Sequence, residues 1–186
     1  MKRLDVFKKL IEIIDEQIII CNFGYPSREL YFLKDRTQNF YFLENSELTT
    51  PFALGVALAK PNLNIWCIDS DESILTNLGV LSTISYMNPL NLTLIIIDNS
   101  VYDLTENQET HTGRNTKLDL IARGSGLELI TVIENREDIV PIFKEIGKGC
   151  RFVLIKAEPG NADVPEISIS PHILKDRFMK VLKKEQ

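Results

Sequence analysis

Apolar residues along this chain alternate between two periods. Leu4, Phe7, Leu10, Ile11 and Ile14 recur at helical spacing and predict an amphipathic N-terminal helix. Residues 17–23 (Gln-Ile-Ile-Ile-Cys-Asn-Phe) follow as a short continuous apolar run, the pattern of a strand buried on both faces. Residues 27–34 read as a helix with Ser27 at the N-cap position and Glu29 within the first turn. Residues 39–43 predict a second strand. Thr49-Thr50-Pro51 opens a helix carried on through 52–59, because proline suits the first helical position. A third strand is predicted at 64–69, a helix at 73–86 and a fourth strand at 92–98. Residues 99–116 are polar with scattered apolar positions, a loop long enough to read as functional. Beyond it, 117–123 predicts a helix closed at Gly124 or Gly126, 128–133 a strand, 138–146 a helix, 151–157 a sixth strand and 173–183 a final helix.

Near-continuous apolar strands alternating with helices predict an α/β architecture, a three-layer doubly wound fold of about six mostly parallel strands with helices on both faces. No internal repeat or low-complexity linker interrupts the pattern, and 186 residues suit a single domain spanning 1–186. Ligands of such folds bind outside the carboxyl ends of the strands. Asn22, Glu44, Asp71 and Asn99 lie at or just beyond those ends, as does the long loop. Trp66 and Tyr86 read as core or packing residues.

Composition narrows the classes. A net charge of −5 with no basic cluster argues against a nucleic-acid surface. Cys21, Cys67 and Cys150 lack CxxC spacing and fall in or beside apolar runs, as buried free thiols of a reducing cytosol do. No signal peptide opens the chain and its apolar runs are too short to span a bilayer, so a soluble, cytoplasmic protein without membrane association is expected.

The candidate chemistry lies in Asp69-Ser70-Asp71-Glu72 and Asp98-Asn99. A hard cation takes oxygen ligands, and Mg²⁺ combines one or two from protein with phosphate oxygens and water. A carboxylate from one strand end, an amide oxygen from the next and one backbone carbonyl would serve. The following helix would turn free N–H groups toward a diphosphate. By spacing alone the same residues also read as helix caps at strand ends. His111, in the long loop, has an acid–base reading beside that of an exposed loop residue. Gly124-Ser125-Gly126 reads as a helix stop, since no strand precedes it.

Four blocks carry a family resemblance: Asn22-Phe23-Gly24-Tyr25-Pro26-Ser27-Arg28-Glu29-Leu30-Tyr31; Asn39-Phe40-Tyr41-Phe42-Leu43 with Leu54-Gly55-Val56-Ala57-Leu58-Ala59; Ile68-Asp69-Ser70-Asp71-Glu72-Ser73 with Asn77-Leu78-Gly79; and Ile97-Asp98-Asn99 with Thr105-Glu106-Asn107-Gln108-Glu109-Thr110. Over about residues 18–135 the chain resembles the diphosphate-binding domain of thiamine-diphosphate enzymes, most closely the sulfopyruvate decarboxylase β subunit and phosphonopyruvate decarboxylase group. The resemblance implies a lyase of 2-oxoacids, with coenzyme M biosynthesis as a setting. It implies thiamine diphosphate and Mg²⁺ as cofactors, and an α-type partner with the pyrimidine-binding domain and its catalytic Glu, hence a homo- or hetero-oligomer. Carried over by position, Asp71 and Asn99 match the side-chain Mg²⁺ ligands and the carbonyl of Val101 the backbone ligand. Ser70, Asp71, Glu72 and Ser73 would face the diphosphate. The turn 44–47, with Glu44 and Ser46, would meet the aminopyrimidine and thiazolium rings. Ser27, Arg28, Gln108 and Thr110 would lie near the substrate, where a guanidinium pairs well with a sulfonate or phosphonate. No catalytic side chain of this chain is identified.

The chain departs from its family at glycines. Related subunits read Leu-Gly-Ser-Met-Gly-Leu where this one has Leu43-Glu44-Asn45-Ser46-Glu47-Leu48, Asp-Gly-Asp-Gly-Ser where it has Asp69-Ser70-Asp71-Glu72-Ser73, and Gly where it has Glu106. Glycine serves where backbone approaches a ligand closely or takes positive φ. Glutamate adds bulk and a charge facing an anion. Two unit charges about 4 Å apart at an effective ε near 20 repel by roughly 4 kcal/mol, about a thousandfold in affinity. Mg²⁺ or rotation of Glu72 to solvent would relieve part of this. Three readings follow: a working β-type subunit, a non-catalytic paralogue keeping the fold as a structural or regulatory subunit, or a binder of a divalent cation through Asp69, Asp71 and Glu72, with Glu44 or Glu47.

Overall fold

The computed structural model describes residues 1–103, 105, 108–145, 147 and 149–184, the last without its side chain. Among the described residues six strands are formed: β1 (Ile18–Cys21), β2 (Asn39–Tyr41), β3 (Ile65–Ser70), β4 (Leu92–Asp98), β5 (Leu129–Ile133) and β6 (Arg151–Lys156). They make one sheet in the order β2-β1-β3-β4-β6-β5, and every neighbouring pair is parallel. The helices are α1 (Arg3–Leu10), α2 (Tyr25–Lys34), α3 (Thr49–Ala59), α4 (Asp71–Thr76), α5 (Gly79–Met87), α6 (Leu118–Gly124), α7 (Ile139–Glu145) and α8 (Pro171–Lys184).

Every residue of β3 and β4 is buried, which is why both read as unbroken apolar runs. Alternate side chains serve opposite layers. Trp66, Ile68, Ile95, Ile97, Val153 and Ile155 cluster with α1, α2 and α7. Ile65, Cys67, Leu94, Ile96, Phe152 and Leu154 cluster with α3, α5 and α6. Helix α8 covers the β2 edge, giving Leu174 to one layer and Phe178 and Leu182 to the other. Covering that edge removes a template for unwanted strand pairing. All three cysteines are buried and free. Among the described residues no helix is long and apolar enough to cross a membrane.

Local details differ from the sequence expectations. The single helix expected at 73–86 is two helices, broken at Asn77 (φ −140, ψ 49). The Thr76 hydroxyl turns back onto the Ser73 carbonyl at 2.7 Å there, a local bond that competes with helix continuation. Ser27 is not the N-cap of α2. That position is Gly24, at φ 83 and ψ −137, a conformation open to glycine. Ser27 sits inside the first turn, its hydroxyl donating to the carbonyls of Asn22 and Cys21 at 2.5 and 3.2 Å. Helix α3 begins at Thr49, so Pro51 falls third, still within the turn whose N–H groups lack helical partners. Tyr86 is 88% exposed rather than packed, because α5 turns Val80, Leu81 and Ile84 to the core instead.

One buried ion network ties α1 to the carboxyl edge of the sheet. Arg3 donates to Glu29 of α2 at 3.0 and 3.1 Å, to Asp103 at 2.5 Å and to the Asn161 side-chain oxygen at 2.7 Å. Arg3, Glu29 and Asp103 are all buried. Truncation of Arg3 strands two enclosed carboxylates, a loss that typically costs about 3–5 kcal/mol. Arg3→Ala is therefore expected to lower the unfolding free energy by about that amount in urea denaturation, and a change below ~1 kcal/mol would show that the network is not closed from water.

Candidate functional site

Strand register assembles the site. Ser70 lies opposite Ile97 and Cys21 opposite Ile68, so β1, β3 and β4 end side by side. Asn22, Asp71 and Asp98-Asn99 thereby reach one edge. The chain leaves β1 toward β2 and returns on the other side as β3, a topological switch point of the kind that opens a ligand crevice.

Asp71 opens α4 and is fully buried. Its Oδ2 accepts from the hydroxyls of Thr110 and Thr112 at 2.5 and 2.9 Å. Its Oδ1 is buried and has no hydrogen-bond partner among the described residues. The Thr112 hydroxyl also lies 2.8 Å from Asp98 Oδ1, so a single proton is shared between two carboxylates. Asp98 Oδ2 pairs with the Lys156 ammonium. The Asn99 amide donates to Asp103 at 2.8 Å, while its Oδ1 has a long 3.4 Å contact from the Val101 N–H. Val101 is held in an isolated antiparallel bridge with Glu109.

The residues flanking Asp71 face inward. Ser70 Oγ accepts from the Asn22 amide at 2.8 Å and from the Ser73 N–H at 3.3 Å. The Ser73 hydroxyl donates to the Ser46 carbonyl at 2.7 Å, and the Thr49 hydroxyl to Asn22 Oδ1 at 3.0 Å. Glu72 reaches across to the loop after β4, where its Oε2 accepts the Asp103 N–H at 3.0 Å. Asp69, one residue before Ser70, accepts from the Thr50 hydroxyl at 2.6 Å.

Enclosure raises these acids. Burial, then the nearby Asp98, pushes the Asp71 carboxyl up to about 6 against the pull of the two threonine hydroxyls. Burial, then Asp103, pushes Glu72 up to about 7. Asp69 is raised to about 6 by burial, with the Thr50 hydroxyl opposing.

The other expected site residues divide. In the turn 44–47, Glu44 and Glu47 are exposed and Ser46 approaches α4 through its carbonyl. Thr110 is directed at Asp71 instead of standing beside Arg28. Gln108 and His111 are exposed. Arg28 pairs with Glu166 at 3.0 Å and lies over the Tyr25 ring. With Ser27, Phe23 and Leu43 it lines a separate cavity of about 180 Å³. Glu106 lies outside the described residues. Sequence reasoning missed Arg3, Asp103, Thr112 and Lys156, and named Asp98 only within the Asp98-Asn99 pair, with no role of its own. None of these offered a local signal, since Thr112 lies in a 3-10 turn at His111–Gly113 that the polar loop did not announce.

The chain belongs to the thiamine pyrophosphate enzyme family: residues 29–157 match its C-terminal TPP binding domain. It is 47% identical to the sulfopyruvate decarboxylase subunit beta of Methanocaldococcus jannaschii over 186 residues, covering 98% of both chains. It is 32% identical to the sulfopyruvate decarboxylase of Methanosarcina acetivorans, a match that covers 98% of this chain and 47% of that one. The X-ray structure of a chain described as a thiamin diphosphate-dependent enzyme, isolated from Mycobacterium smegmatis, shares the fold. Its TM-score is 0.72 at 14% identity, over 86% of this chain and 32% of that chain.

The two parts of an Mg²⁺–thiamine diphosphate group fare differently against these residues. The unpartnered Asp71 Oδ1, with the weakly engaged Asn99 Oδ1 and a loop carbonyl, is the hard donor set that Mg²⁺ takes. Among the described residues no group of three or more His, Cys, Asp or Glu is arranged for a metal, so amide and carbonyl oxygens would complete the shell. The diphosphate part does not fit as the chain stands. The Ser73 and Asp103 N–H groups already meet the chain's own Ser70 and Glu72 oxygens.

Asp71 has an ordinary value of 3.8 and a folded one of about 6. Between these the folded, cation-free chain holds a proton that the unfolded chain has released. Its contribution to stability is therefore full at lower pH and lost as pH rises through that window. Asp71→Asn is expected to be more stable than the parent by about 3 kcal/mol near pH 8, with the gap closing toward pH 4 in chelator-treated protein. A gap independent of pH in thermal or urea unfolding would show that the carboxylate is not strained.

Proposed function

We propose that this chain, over residues 1–186 as one diphosphate-type domain, is the β-type subunit of a thiamine-diphosphate-dependent 2-oxoacid decarboxylase of the sulfopyruvate and phosphonopyruvate class. It works with an α-type partner that supplies the pyrimidine-binding domain. The observation that carries this reading is the 47% identity to a subunit named beta, over 98% of both chains. The Methanosarcina acetivorans relative supports the partner, because the match fills 47% of that chain and leaves room for a second domain.

In enzymes of this class the thiamine cofactor supplies the carbanion chemistry, and the protein supplies orientation and charge. This chain's contribution is a seat for a hard divalent cation. Asp71, Asn99 and the Val101 carbonyl would hold Mg²⁺. Thr110 and Thr112 fix the Asp71 carboxylate through its other oxygen, leaving Oδ1 for the cation. Lys156 and Arg3 balance Asp98 and Asp103 nearby.

Coexpression with an α-type subunit of this class is expected to give a stable complex on size exclusion. A chain that elutes without its partner at micromolar concentration would end the subunit reading. Titration with Mg²⁺ or Mn²⁺ is expected to show binding that Asp71→Ala weakens by at least about tenfold. Unchanged cation affinity in that variant would place the metal elsewhere.

A further inference from the structure

The family resemblance implies Asp-Gly-Asp-Gly-Ser at the end of the third strand, where this chain has Asp69-Ser70-Asp71-Glu72-Ser73. Neither substituted position needs glycine for its backbone. Ser70 is extended at φ −114, ψ 162, and Glu72 lies in the first turn of α4. Glycine at such positions serves to leave room for a close neighbour.

Here the room is taken. Ser70 Oγ accepts the Ser73 N–H, the donor that the start of α4 would otherwise offer an anion, and is held by Asn22 as well. Glu72 does not swing to solvent. Its carboxylate spans the gap between α4 and the loop after β4, anchored on the Asp103 N–H at 3.0 Å. Arg3, the cation acting on it, is committed to Glu29 and Asp103. A diphosphate entering this gap would have to displace two side chains and lie beside the half-buried Glu72 carboxyl, which repels it wherever that group is ionised.

We propose that Ser70 and Glu72 form an internal plug that closes the diphosphate seat, so that this chain joins its assembly without taking up the diphosphate cofactor itself. The identity of the excluded anion rests on the family reading above; the plug rests on the two side chains. It makes this copy a structural or regulatory β-type subunit, while its cation ligands stay in place.

The test is calorimetry of thiamine diphosphate in saturating Mg²⁺ with the full-length chain, alone and in complex with the α-type subunit. The parent is expected to give no binding in the micromolar range in either form, and S70G/E72G to bind at least about a hundredfold more tightly. Addition of Asp71→Ala to that variant should abolish the gain. Should the double variant not fold, as judged by circular dichroism, Glu72→Ala alone should show at least a tenfold gain. Micromolar binding by the parent, or a gain below tenfold in a folded variant, overturns the proposal. Complex formation with the α-type subunit is scored separately by size exclusion. A subunit that assembles but binds cofactor refutes the plug alone, and one that does not assemble refutes the subunit reading alone.

Discussion

Four carboxylates, Asp69, Asp71, Asp98 and Asp103, are buried at one edge of the sheet, and keeping them there is the constraint on which the surrounding structure depends. Buried charge is tolerated only when it is paired and hydrogen-bonded. Asp69 is met by Thr50 and Asp98 by Lys156, while Asp103 is met by Arg3 and Asn99. Among the described residues Asp71 is met on one oxygen only. The partners come from α1, α3, the end of β6 and the loop after β4, so the packing of these distant segments is set by one patch of charge.

The parallel sheet supplies the rigidity that this patch needs. Strands β3 and β4 are buried along their whole length between two helical layers, and their register sets Asp71 level with Asp98 at the exit. Side chains on strand ends are held more firmly than those on free loops. The orphaned oxygen of Asp71 is therefore a fixed feature of the edge, with two threonines preventing its rotation.

The acidic replacements at family glycines differ in physical consequence. Glu44 and Glu47 are exposed on a surface turn, where water screens them. Glu72 is drawn inward by a backbone N–H and faces Asp71 and Asp103. Membership of a cofactor-binding family and possession of an open cofactor seat are thus separate properties, the first carried by the whole sheet and the second by two side chains.

The central strands and their parallel arrangement were legible in the sequence, because a strand buried on both faces leaves an unbroken apolar run that needs no knowledge of its neighbours. The position of Asp71 and Asn99 at strand ends followed from the same runs. The division of 73–86 at Asn77, the inward hydroxyl of Ser27 and the exposure of Tyr86 were not legible, since each turns on which face a short segment presents. Nor was the Arg3–Glu29–Asp103 network, whose members lie 26 and 100 residues from Arg3. By itself the sequence determined the layers and the polar edge, through local periodicity. Only the tertiary structure decided which acids are enclosed, which are paired and which way Glu72 points, because those depend on groups that folding alone brings together.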